Sequence, residues 1–424
     1  MDGHGAQLRD ARQRLRRVGR AAALGQRQTV TTADDPLDRA RTLLQLRRPA
    51  DAERELRGVL AQQPQYATAH AFLALALVLQ GNAAEAVEES DEAVRLAPDH
   101  WSTHYVAAQV HHRARRPAAA LAAATTALRL NPEHPPIWEQ LARTHLLAGQ
   151  WREAAEAARR GLAIDPEDCD LASLLAVACT VLEDAQQARA AAADAVRLDP
   201  ESATAHLAYG RAELAFGDPR QAAQAFREVL RLDPGYGQAR DLLVTALKQR
   251  NPLYRWLSKV RGRFRGGWRL LFLLPAIPPV ILVFVVVALL HWAAWVAEAV
   301  TTLRLARGRT TQLLFEAVES RMAVLCCGLV AVGAVGLGLG IGFGSEPLGT
   351  AGAGVMALVT PAQEAAHTGS ERRRLILYAW AVLLAVAIVV SAVFAVVGVA
   401  LLSLYACLAT VWVAAGVRGR PELL

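Results

Sequence analysis

The stretch HWSTHYVAAQVHH, residues 100–112, carries His100, His104, His111 and His112, a density that raises the question of a metal site. A metal needs several donors converging on one point, so the cluster has to be judged on the element that carries it. A second pair, His291 and Glu298, stands seven residues apart in an apolar run and shares one helix face. Ionisable residues in such a run are functional candidates by default. Five cysteines, Cys169, Cys179, Cys326, Cys327 and Cys407, form an odd number without CxxC spacing. They point away from a disulfide framework and from a zinc site, and toward a reducing compartment for the polar part. Neither a serine elbow, a phosphate loop nor a His-Glu metal motif occurs, so the expectation is a protein that is not an enzyme and carries no cofactor or metal.

The element beneath the histidines is written by proline. Pro64, Pro98, Pro132, Pro166, Pro200 and Pro234 stand 34 residues apart. With proline at position 32, units run 33–66, 67–100, 101–134, 135–168, 169–202 and 203–236. Position 20 is Ala52, Ala86, Ala120, Ala154, Ala188 and Ala222; position 8 is Ala40, Ala74, Ala108, Ala142, Ala176 and Gly210. Glycine recurs at position 15, as Gly81, Gly149 and Gly217. The pattern is that of two antiparallel helices per unit. Small residues let the backbones approach, glycine opens the turn, and proline ends the second helix. Neither helix buries its apolar face alone, so units must stack.

These units resemble the tetratricopeptide repeat family over about residues 33–250. The resemblance implies an α-solenoid of about six helix-turn-helix repeats, with GYGQARDLLVTALKQRN (235–251) as a capping helix. Large aromatics that the family favours at positions 4, 11 and 24 survive only as Trp138 and Phe226. Pro36 at position 4 marks a short leading helix in the first unit. His104 at position 4 and His111 at position 11 thus stand in for aromatic packing residues, as do His70, His206 and His145. His100 closes its unit, and His112 is expected to face the inner groove. In this family the first helix of each unit lines a concave surface through positions 2, 5, 9, 12 and 13. The resemblance therefore assigns partner contact to Tyr105, Gln109, His112, Arg113, Glu139, Arg143 and Arg211. Arginines beside leucines suit a peptide with an acidic group and apolar anchors.

Residues 1–32 read as a basic disordered tail. Arginine supplies 44 of the 46 basic side chains, lysine appearing only at Lys248 and Lys259, which speaks for a GC-rich bacterial genome. Residues 251–269 hold Arg255, Lys259, Arg261, Arg263, Arg265 and Arg269 without an acid, interleaved with Trp256, Val260, Phe264 and Trp268 at every fourth position. That combination suits anionic lipid headgroups; with an apolar span directly behind it, nucleic acid is not the expected partner. Residues 270–424 read as a four-helix transmembrane domain with spans at about 270–297, 322–344, 375–394 and 397–417, the last two folding back between Ser391 and Gly398. Pro275, Pro278 and Pro279 interrupt the first span and leave a re-entrant hairpin open. Eleven basic residues flank one side and four (Arg304, Arg307, Arg309 and Arg321) the other, which puts the repeats in the cytoplasm. Gly336, Gly340 and Gly344 form a small-residue stripe for close helix packing.

The expectation is an all-α, membrane-anchored scaffold that recruits a protein partner, sits in the cell membrane as a multi-pass protein, and takes part in a membrane-protein complex. The rival is a transporter or channel subunit regulated by its repeats.

Overall fold

Each 34-residue unit closes on itself because its small residues sit where its two helices cross. The six alanines at position 20 and the five at position 8 are all fully buried. The computed structural model describes residues 36–264, 278–306, 317–368 and 370–418; the basic tail at 1–32 lies outside them. The chain divides into two units, Met1–Leu243 and Val244–Leu424.

In the first unit, helices pair in sequence order: α1 (Pro36–Gln45) with α2 (Pro49–Gln62), α3 (Ala67–Leu79) with α4 (Ala83–Leu96), and α5 (Trp101–Arg113) with α6 (Pro117–Leu130). The pairs α7 (Pro135–Leu147) and α8 (Trp151–Ile164), α9 (Cys169–Val181) and α10 (Ala185–Leu198), and α11 (Ala203–Phe216) and α12 (Pro219–Leu232) follow. Helix α13 (Gly237–Gln249) covers the segment expected to cap the array. The leading helix α1 is short, at 10 residues. First helices also touch the first helices of the next unit, which is how repeats stack into a solenoid.

The turns show why glycine is only one solution at position 15. Gly81 and Gly149 take φ of +91° and +72° there, and Arg47, Arg115 and Glu183 take φ of 57°, 58° and 61° at the same position. The turn demands a left-handed residue whatever the side chain, and the non-glycine units carry the strain. Gly217 departs, with φ of −115° as the cap of α11. Gly210 replaces alanine at position 8 for a packing reason: a Cβ there would meet the Phe226 ring at 2.6 Å.

The second unit holds α14 (Pro252–Phe264), α15 (Pro278–Ala306), α16 (Ala317–Gly342), α17 (Glu346–Ala357), α18 (Val359–Ala366), α19 (Glu371–Val393) and α20 (Val397–Arg418). Among the described residues, three stretches are long and apolar enough to cross a membrane: Val285–Ala306, Glu319–Gly342 and Glu371–Val393. In α20 the apolar stretch described is Val397–Val411, shorter than these.

The apolar part adds detail to the sequence reading and corrects it at Gly344. The described part of helix α15 reaches Ala306, beyond the expected end of the first span at 297. Residues 346–366, between the second and third expected spans, form two helices. Gly344 is a left-handed turn residue, φ +64°, outside the packing stripe. The close contact is between Gly333, Gly336 and Gly340 of α16 and Gly349 and Gly352 of α17. A Cβ on Gly340 would run into the Gly349 backbone, and one on Gly352 into Leu337 and Gly336.

Candidate partner-binding face

Helices α5 and α7 bring six of the seven expected contact residues, Tyr105, Gln109, His112, Arg113, Glu139 and Arg143, onto one connected patch that α9 adjoins. Glu139 and Arg143 are one turn apart on α7, and both Arg143 Nε and Nη2 donate to Glu139 Oε1, at 2.9 and 2.6 Å. Nη2 also lies 3.9 Å from Asp170 Oδ1, at the start of α9. Burial is the largest influence on Glu139 and lifts its carboxyl to about 7, with Asp170 and Asp168 adding repulsion against the pull of Arg143. Asp168 is committed locally, capping α9 by accepting from the N–H groups of Asp170 and Leu171 at 2.8 and 3.0 Å.

Tyr105 stands within this charged group. Burial, then Glu139, pushes its hydroxyl pKa far up, so the phenol stays protonated, and it hydrogen-bonds with Gln109. Its ring is edged by Trp101 and His134, whose centroids are 4.4 Å apart. His112 Nδ1 lies 3.4 Å from the Thr144 hydroxyl. Burial, then Arg143 and Arg113, lowers its pKa, so it is neutral near pH 7 and adds no positive charge.

The arginines differ in their partners. Arg143 arrives already paired. Arg113 and Arg211 have no carboxylate within salt-bridge distance among the described residues. Burial disfavours the charge on both, and Arg143 adds repulsion at Arg113. Arg211 stands three units along, beside Tyr236, apart from the other six.

The opening histidines do not converge. His104 Nε2 donates to the Pro98 carbonyl at 2.8 Å, His111 Nε2 lies 3.7 Å from Asp91, and His112 turns to Thr144. His100 is the exposed residue preceding α5. Among the described residues, no group of three or more His, Cys, Asp or Glu is placed to hold a metal ion. The contact at His104 recurs: His70 donates to Pro64, Trp138 to Pro132 and His206 to Pro200, each at 2.9 Å. In these four units position 4 holds a flat ring with an N–H aimed at the carbonyl of the preceding position 32, whereas Pro36 and Ala172 stand there in the other two. Sequence reasoning saw the aromatic substitution but missed the hydrogen bond; the shared N–H of His and Trp was the available signal. It also missed Asp170, although position 2 was among the groove positions.

In the juxtamembrane segment, Arg255 and Trp256 are exposed, whereas Tyr254 and Leu257 are buried. The side chains of Lys259, Arg261, Arg263 and Phe264, and the residues Arg265 and Trp268, lie outside the described set. His291 and Glu298 are buried; His291 lies 3.8 Å from Glu364, and Glu298 lies 3.3 Å from Lys248.

Residues 37–100 and 181–237 match one model of the tetratricopeptide repeat family, and residues 111–178 match a second. The chain therefore carries a tetratricopeptide-repeat segment over residues 37–237. Among solved structures it is similar to a chain of the APC/C hetero-tetramer Cut9-Hcn1, at 19% identity and TM-score 0.45, covering 50% of this chain and 42% of that one. It thus spans less than half of that relative. It is also similar to pilF of Pseudomonas aeruginosa, at 21% identity and TM-score 0.42, covering 49% of this chain and 94% of that one. A thermophilic tetratricopeptide-repeat protein of Thermus thermophilus matches at 23% identity and TM-score 0.38, covering 42% of this chain and 97% of that one. No curated protein matches.

Tetratricopeptide repeats indicate a protein-interaction scaffold, and neither matching model describes an enzyme.

Proposed function

We propose that this chain is a membrane-anchored adaptor. Its repeats hold a peptide or protein partner on the face formed by α5, α7, α9 and α11, and its apolar helices fix that face beside a bilayer. The observation that carries the reading is the pair of arginines, Arg113 and Arg211, in a face where Arg143 is already satisfied. Arg113 is exposed and Arg211 half-buried; a guanidinium without a counter-ion favours an incoming carboxylate or phosphate, and the two sites suit an extended acidic segment.

Membrane anchoring draws on an inside-out distribution in the second unit. Val332, Val335 and Leu339 on α16 are exposed, as are Val382, Val386 and Val389 on α19. Buried instead are Glu298, Glu364, Gln363 and His291. Water punishes that arrangement and lipid rewards it. The basic charge distribution supports a cytoplasmic repeat segment, and Arg255 with Trp256 suits anionic headgroups. The arginine-rich composition fits a bacterial source.

The test is binding of acidic and basic peptide panels to the full chain in lipid nanodiscs. Acidic peptides with apolar anchors should bind, and Arg113→Glu with Arg211→Glu should weaken them at least about tenfold, ~1.4 kcal/mol. Equal binding of both panels, or an unaffected double variant, contradicts the reading.

A further inference from the structure

On the docking face, Arg143 is held by a carboxylate of its own chain, one turn back on α7. Its Nε and Nη2 both donate to the same oxygen, Glu139 Oε1, at 2.9 and 2.6 Å. The side chain of Arg143 is 40% exposed, against 22% for Glu139, so the guanidinium is the more accessible half of the pair. The groups around it come from three helices. Arg113 of α5 repels Arg143, and His112 of α5 faces it. Tyr105 of α5 faces Glu139, as do Asp168 and Asp170 at the start of α9. Asp170 Oδ1 also lies 3.9 Å from Arg143 Nη2.

We propose that Glu139 is an internal stand-in for the partner's acid: it holds Arg143 while no partner is docked, yields it to the anionic group of a docking segment, and takes up one proton in exchange. The proposal rests on the reading that this face binds an acidic segment. An anion seated on the same guanidinium brings two negative groups within a few ångströms of each other, and like charges at that distance oppose ionisation. A proton from solvent adding to a Glu139 oxygen removes the repulsion. The two hydrogen bonds from Arg143 are released to the incoming anion, and no covalent bond breaks. Whatever charge the surrounding groups carry, this step makes the face more positive by one, which favours an acidic partner. The coupling is reciprocal: lower pH strengthens docking, and docking draws a proton onto Glu139. Burial already lifts the Glu139 carboxyl to about 7, so the exchange falls near neutral pH.

The probe is a peptide with leucine anchors whose acidic groups are sulfonates, which stay charged throughout the titration. Its binding to the full chain in nanodiscs is followed by calorimetry between about pH 8 and about pH 6, on either side of the Glu139 carboxyl. Repeating the measurement near neutral pH in two buffers of different ionisation heat counts the protons taken up. The affinity should rise about fivefold or more as pH falls, with up to one proton bound per peptide. Glu139→Gln keeps the shape and cannot ionise. It should bind at about pH 8 as tightly as the wild type does at about pH 6, without slope or proton uptake. His112→Gln should keep both, which separates Glu139 from the imidazole on the same face. Where the glutamine variant loses its helical circular dichroism, Glu139→Asp, which keeps a carboxylate on a shorter stem, must shift the midpoint of the slope. A wild type that binds without slope or uptake, a slope that survives Glu139→Gln, or one lost in His112→Gln overturns the proposal and leaves the docking reading standing. A peptide that binds at no pH, or equally well after Arg113→Glu with Arg211→Glu, overturns both.

Discussion

At position 4, the identity of the ring matters less than the N–H on its edge. His70, His104, Trp138 and His206 all donate to a proline carbonyl, fastening the first helix of their four units to the loop before it. His104→Phe keeps the packing and removes the donor, so thermal denaturation should show a loss of about 0.5–1.5 kcal/mol. His104→Trp should restore most of it. His112 gives a pH prediction. Its pKa is lowered in the folded chain, by burial and then by the arginines, from 6.5. The unfolded chain therefore binds the proton first as pH falls. The imidazole costs no stability above about pH 6.5 and progressively lowers stability below it. Glu139 works the other way between about 4.5 and 7, so the comparison must be by difference. The melting temperature of His112→Gln should fall less than that of the wild type between about pH 7 and pH 5. Parallel curves would mean that the proton is not excluded from this side chain.

Helices here are fitted by volume. Phe226 is fully buried at position 24, where the neighbouring units carry Ala158 and Ala192, and Gly210 makes room for it. Gly210→Ala should destabilise by about 1–3 kcal/mol, because the added methyl meets the ring. Combined with Phe226→Leu, the same change should cost clearly less than the sum of the two single changes, as a double-mutant cycle by denaturant unfolding would show. The period and the small residues were legible because a repeated contact leaves a repeated residue. The pairing of Gly210 with Phe226 was visible as two separate departures from the pattern, but nothing in one dimension says that they touch. The turn strain at Arg47, Arg115 and Glu183 was hidden for a related reason: only glycine advertises a left-handed turn, and these residues do not.

At the scale of the molecule, the two units differ in what they expose. In the repeats, the alanines at the helix crossings are buried; in the second unit, Val332, Val335, Leu339, Val382, Val386 and Val389 are exposed while Glu298 and Glu364 are buried. Residues 33–250, expressed without the rest, are therefore expected to be soluble and strongly helical by circular dichroism, because their alanine core is complete within the repeats. A disordered fragment would contradict that. The apolar runs of the second unit were plain in the sequence. Helices α17 and α18 between them were not read from it.

The sequence by itself determined the repeat, its phase, the residues at each helix crossing and the apolar character of the C-terminal part. Each of these is a local or periodic demand, and stacking the same contact many times writes it many times. Tertiary structure alone decided which charges meet: Arg143 with Glu139 and Asp170, Lys248 with Glu298, His291 with Glu364. A charge pair needs only two side chains within a few ångströms, and helices distant in sequence supply them without leaving a period to read. Lys248, one of two lysines in a chain that otherwise uses arginine, was the nearest thing to a trace of such a pair in the sequence.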